Sequence, residues 1–150
     1  MRGSAEETAS LDFKRELTKN AEIAKDIAAM TVNGGVILYG VDEDKETRVA
    51  TEITPIPLAG VEEKLRQIAG SQIAPTPDFD VEIVPDPEDE TSGVVAVIVS
   101  ASSLAPHQTN ARYPYRHGTT TDYLSEPAVE RLYRQRRELS GPSPQPGQLL

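Results

Sequence analysis

Apolar and charged side chains alternate at Leu11-Asp12-Phe13-Lys14-Arg15, the period of two that marks a strand with one buried face. That spacing predicts Leu11 and Phe13 inward, with Asp12 and Lys14 sharing the outer face. From 20 to 32 the period becomes helical. Ile23, Ile27 and Met30 form one stripe with Ala24, Ala28 and Thr31 beside it, and Asn20 is placed to cap its start. Asn33-Gly34-Gly35 ends the helix, since Asn and Gly tolerate the left-handed backbone of a C-cap. The run Val36-Ile37-Leu38-Tyr39-Gly40-Val41 is unbroken and rich in β-branched residues, which predicts a central strand covered on both faces.

After a loop containing Pro55 and Pro57, a second helical stripe, Val61, Leu65 and Ile68, runs to Gly70. Segments 79–84 and 94–100 read as strands, joined by an acidic, Pro-bearing stretch at 85–93 expected to be a solvated hairpin loop. Strand-like pieces at 113–116 and 119–121 flank Gly118. A last helix opens at Ser125 with Pro127 in its first turn and an apolar stripe of Ala128, Val129, Leu132 and Tyr133. This order predicts an α+β domain, a mixed β-sheet with flanking helices, over residues 7–138. Residues 1–6 are expected to be a flexible leader or an expression-tag remnant, and 139–150, with Pro142, Pro144 and Pro146, a disordered Pro/Gly-rich tail or linker.

Composition narrows the function classes. The net charge of −9 excludes a generally basic nucleic-acid coat. Yet the excess sits in one place: Asp78, Asp80, Glu82, Asp86, Glu88, Asp89 and Glu90 lie together without a base, and the rest of the chain is near balance. The absence of cysteine removes thiolate chemistry and disulfides and suits a cytoplasmic protein, and no apolar run reaches membrane-spanning length. Basic residues concentrate in 111–137, where six arginines face three acids. Arg112 and Arg116 flank Tyr113 and Tyr115, a pattern suited to stacking an unpaired base while neutralising its backbone. Arg131 and Arg134 are neighbours on the last helix, and Lys14, Arg15 and Lys19 form a second basic cluster. His117, next to Arg116, is placed to contact the same ligand. By themselves these features also fit an ordinary surface: Asp12 beside Lys14 as a solvated ion pair, and Asp42-Glu43-Asp44 as a turn.

Taken in order, Asp12-Phe13-Lys14, the 21–32 helix, Asn33-Gly34-Gly35, the strand ending Gly40-Val41-Asp42-Glu43, and Tyr115-Arg116-His117-Gly118 before a helix resemble the AlbA_2 domain shared with the Schlafen proteins. The resemblance implies binding of RNA or DNA, by a regulatory or sensor module that acts within a longer chain or as a homodimer. In the Schlafen branch it implies, as the alternative, a divalent-metal-dependent endoribonuclease acting on structured RNA such as tRNA. Carried over by position, its catalytic carboxylates fall on Glu7, Asp12 and Glu43, with Asp42 adjacent, where oxygen ligands would hold Mg²⁺ or Mn²⁺. Asp12 stands where the family has Glu, and Glu43 where the nuclease branch has Asp; binding, which needs neither, is therefore read first. A protein-interaction or assembly domain is the third reading, favoured by the acidic total.

Overall fold

The computed structural model describes residues 8–139. The leader at 1–6, Glu7, and the tail at 140–150 lie outside them. The elements run β1 (Leu11–Lys14), α1 (Asn20–Met30), β2 (Gly35–Tyr39), β3 (Val41–Glu43), β4 (Ala50–Ile53), β5 (Ile56–Pro57), α2 (Val61–Gln72), β6 (Phe79–Asp86), β7 (Asp89–Val99), β8 (Pro114–His117), β9 (Thr120–Tyr123) and α3 (Glu126–Leu139). Leu139, assigned to the tail from sequence, thus closes α3, where Arg136 and Arg137 complement the helix's carboxyl end.

The expected mixed sheet is present. The β1–α1–β2 unit makes β1 and β2 parallel, because a helical crossover returns the chain in the same direction. The long strand β7 runs antiparallel to β2, pairs with β6 along its other edge, and takes β5 at Gly93 and Ser92. Two hairpins, β3–β4 and β8–β9, stand outside the sheet. One sheet face, carrying Ile37, Tyr39, Val95 and Val97, packs with Ile23, Ile27, Leu65 and Ile68 of the helices to form the core.

Four expectations need correction. The run 36–41 is not one strand covered on both faces: Gly40, at φ 100°, breaks it, and Val41 opens β3. A Cβ at Gly40 would approach the Gly93 and Thr54 carbonyl oxygens at 3.1 and 3.2 Å, so the turn needs glycine. Within β2, Ile37 and Tyr39 are buried while Val36 and Leu38 on the opposite face are only partly covered. The acidic loop at 85–93 is mostly strand, closed tightly because the Asp86 and Asp89 carboxylates accept the Glu88 and Thr91 N–H groups. Of its acids Asp86 ends β6 and Asp89 and Glu90 open β7, while Asp80 and Glu82 lie along the edge strand β6, where charge opposes edge-to-edge pairing. Lys19, not Asn20, occupies the α1 N-cap position, with no side-chain cap, whereas Ser125, where the last helix is expected to open, caps α3 by accepting the Ala128 N–H at 3.3 Å.

The fourth correction bears on the site. The register pairs Asp12 with Ile37 and Lys14 with Tyr39, and paired residues on neighbouring strands point to the same face. Asp12 and Lys14 therefore lie on the face the helices cover, Asp12 at 3 % exposure and Lys14 half-buried. Phe13 is buried on the opposite face.

Candidate functional site

A charged residue inside a core needs a partner. Among the described residues Asp12 has two: Lys14 Nζ at 3.4 Å and Arg116 Nη2, from β8, at 3.5 Å. Lys14 also reaches Asp26 of α1, Nζ to Oδ2 3.6 Å. The result is a row, Arg116–Asp12–Lys14–Asp26, buried except at the half-buried Lys14, in which two acids balance two bases. Burial dominates at Asp26 and, with the negative charge of Asp12 and against Lys14, raises its pKa to about 6. The Tyr39 hydroxyl is buried beside this row without a hydrogen-bond partner among the described residues, and burial followed by the nearby Asp26 and Asp12 charges pushes its pKa far up.

Arg116 is 8 % exposed and its guanidinium also donates to the Thr8 carbonyl at 3.3 Å. It therefore clamps the β8–β9 hairpin to β1. Alternation along β8 then sends Tyr115 and His117 to the opposite side, half-buried and exposed, with ring centroids 6.1 Å apart. Tyr113, in contrast, packs edge-on against Tyr133 of α3, the hydroxyls 2.9 Å apart. Arg131 and Arg134 are exposed on α3, and Arg15 and Lys19 are exposed after β1. Arg112 precedes β8, exposed, with its guanidinium carbon 3.4 Å above the Tyr123 ring centroid.

Each described carboxylate of the expected cluster has a cation of its own, Asp12 in the row above. Asp42 faces Arg15 at 3.4 Å and accepts the Glu43 N–H at 2.9 Å. Glu43 pairs with Arg48 at 3.1 Å, and its Oε2 is buried without a hydrogen bond among the described residues. Among the described residues no three His, Cys, Asp or Glu side chains form a group that could hold a metal ion. Glu7 lies outside those residues.

Sequence reasoning missed Asp26, though a carboxylate between Ile23 and Ile27 of the apolar stripe is a signal of buried chemistry. It also missed what His107 does. At 1 % exposure, His107 donates through Nδ1–H to the Pro75 carbonyl at 2.5 Å and accepts the Ser102 hydroxyl at Nε2, 2.6 Å away. A carbonyl only accepts, which fixes this tautomer. Burial lowers the His107 pKa and keeps the ring neutral. The staple, with paired Ala74 and Gln108 backbones, anchors the chain just before the segment that carries Arg112.

Comparison with known proteins accords with this architecture. No curated protein matches the chain. Among solved structures it is similar to the DIP2311 protein from Corynebacterium diphtheriae, with 23 % identity and a TM-score of 0.56, over 91 % of this chain and 25 % of that one. The chain thus spans about a quarter of that protein's length. It is also similar to the N-terminal domain of a putative ATP-dependent DNA helicase RecG-related protein from Nitrosomonas europaea, with 19 % identity and a TM-score of 0.54, over 79 % of this chain and 84 % of that one. At these identities the likeness is one of fold. Among the described residues no helix is long and apolar enough to cross a membrane. The family model for Schlafen, AlbA_2 matches residues 7–125, and the chain belongs to that family.

Proposed function

We propose that this domain binds nucleic acid through the β8–β9 hairpin and the cations around it, as a regulatory or sensor module. The observation that carries this reading is the division of labour on β8. Arg116 faces inward and fixes the hairpin, leaving Tyr115 and His117 on the outward face, while exposed Arg112 stacks on Tyr123, which pairs with Pro114 and so lies on the other face. A fixed ribbon bearing aromatics and cations suits unpaired bases on a phosphate backbone. Arg131 and Arg134 on α3, with Arg15 and Lys19, supply further phosphate contacts, while Lys14 and Arg116 act by holding the scaffold. The family and the helicase-related neighbour support a nucleic-acid ligand. The acidic strand β6 lies elsewhere in the fold and directs the polyanion away from itself.

The test is filter binding of tRNA, single-stranded DNA and duplex DNA across a salt series. Affinity is expected to fall steeply with salt as counterions are released. No binding at low salt would remove this reading and promote a protein-interaction domain. The nuclease alternative requires more: Asp12 must exchange Lys14 and Arg116 for a metal ion, joined by Glu7 and Glu43. It is separated by a time course on purified tRNA with Mg²⁺ or Mn²⁺, wild type beside Asp12→Asn. Chelator-sensitive cleavage by wild type alone would establish catalysis.

A further inference from the structure

Between α1, the carboxyl end of α2, the turn at 109–112 and Tyr123 lies a groove of about 510 Å³. A second recess of about 410 Å³ adjoins it, the two sharing Ser71, Gln72, Thr109 and Asn110. Volumes of this size accommodate a small organic ligand. The groove's wall is polar, and its charge is carried by Lys25, Arg112 and Glu22.

Two cations converge on one ring. The Arg112 guanidinium stacks on Tyr123 at 3.4 Å, and Lys25 Nζ lies 5.7 Å from the same centroid. Glu22 offsets Lys25 through a loose contact of 3.8 Å, while Arg112 makes no ion pair among the described residues. Arg112 is held there by a tight turn: the Thr109 N–H donates to the Arg112 carbonyl at 2.9 Å, and the Arg112 N–H returns to Thr109 at 3.1 Å. Both central residues are left-handed, Asn110 at φ 53° and Ala111 at φ 60°. Asn tolerates that backbone, whereas Ala adopts it only where the surrounding fold imposes it. The His107 staple anchors the residues that precede this turn.

We propose that this groove binds a single unstacked nucleoside phosphate, as a free mononucleotide or as the terminal nucleotide of a strand. Lys25 and Arg112 neutralise the phosphate. The base stacks on the Arg112–Tyr123 pair, since a guanidinium plane and an aromatic ring both offer a flat face to any base. Gln72 and Asn110 each carry a donor and an acceptor for the base edge or ribose hydroxyls. The strand-end form rests on the nucleic-acid reading above; the free-nucleotide form does not.

The test is calorimetric titration of the full chain with AMP, UMP, ribose 5-phosphate and inorganic phosphate, beside oligonucleotides with and without a terminal phosphate. One molecule of AMP or UMP is expected per chain, bound more tightly than ribose 5-phosphate or phosphate. Arg112→Ala and Tyr123→Leu should each weaken it by about tenfold. Tyr123→Phe, which keeps the ring, should bind as wild type and controls for folding. A free-nucleotide site shows no preference for phosphorylated strand ends; a strand-end site does. Salt-dependent oligonucleotide binding that is indifferent to Arg112→Ala and Tyr123→Leu, without mononucleotide binding, would overturn the groove and leave the nucleic-acid reading standing. Mononucleotide binding without oligonucleotide binding would do the reverse. Inorganic phosphate bound as tightly as AMP would also overturn the proposal.

Discussion

Arg116 of β8 and Asp12 of β1 meet at 3.5 Å with both side chains almost fully buried, joining two parts of the chain that are distant in sequence. The pair ties the outward face of the hairpin to the sheet. Removing one partner of a buried ion pair leaves the other uncompensated, which costs more than the pair itself contributes.

Arg116→Ala should therefore destabilise the domain by about 3 kcal/mol, the lower end of such losses because Lys14 still attends Asp12. Urea unfolding measures it. Amide exchange in β8–β9 should accelerate more than in β6–β7, because the clamp holds only the hairpin. Uniform acceleration, or a loss below about 0.5 kcal/mol, would show that the hairpin does not depend on this pair.

Asp26 makes a prediction with a definite sign. Its pKa is raised from 3.8 to about 6 on folding, so between these values the folded state holds the proton more tightly. The stability it contributes is present below about pH 4 and is lost as pH rises through about 6. Asp26→Asn, which stays neutral, should stabilise the protein at pH 7 by an amount of order 2 kcal/mol. Thermal melting at pH 5 and pH 7 checks it; destabilisation at both would mean that the Lys14 contact outweighs burial.

His107 acts in the opposite sense. Its pKa is lowered by burial, so the folded state binds its proton less readily than the unfolded chain does. Its contribution is complete above the ordinary histidine value of 6.5 and is lost as pH falls below it. With the Asp26 contribution removed by Asp26→Asn, melting temperature should rise with pH through this region. Adding His107→Gln should flatten the rise. A slope that persists would assign it to another group.

The exposed arginines of α3 can be tested apart from the groove. Arg131→Ala with Arg134→Ala should leave stability within about 0.5 kcal/mol, since both side chains are exposed. The same change should lower nucleic-acid affinity and reduce the salt slope by about 0.7 to 0.9 for each phosphate no longer neutralised. An unchanged slope would place the ligand away from α3.

Sequence by itself determined the elements that local physics dictates. The 3.6-residue stripe of Ile23, Ile27 and Met30 specified α1, and Gly34, at φ 84°, closes the turn that Asn33-Gly34-Gly35 announces. Ser125 specified the start of α3, and the ordered motifs specified the family. Tertiary structure decided which way side chains face where local signals conflict. Alternation at 11–15 pointed Asp12 and Lys14 outward, because spacing alone does not show that helices cover that face too. The β1–β2 register turned Asp12 and Lys14 toward them, and Asp26 and Arg116 made that burial tolerable by balancing charge. The run 36–41 carried no sign that Gly40 would divide it, because the close approach of Gly93 and Thr54 exists only once β7 and β4 have assembled. The Arg112–Tyr123 groove is built from four separated segments, and spacing along a chain carries no information about distances between segments that only the folded core brings together.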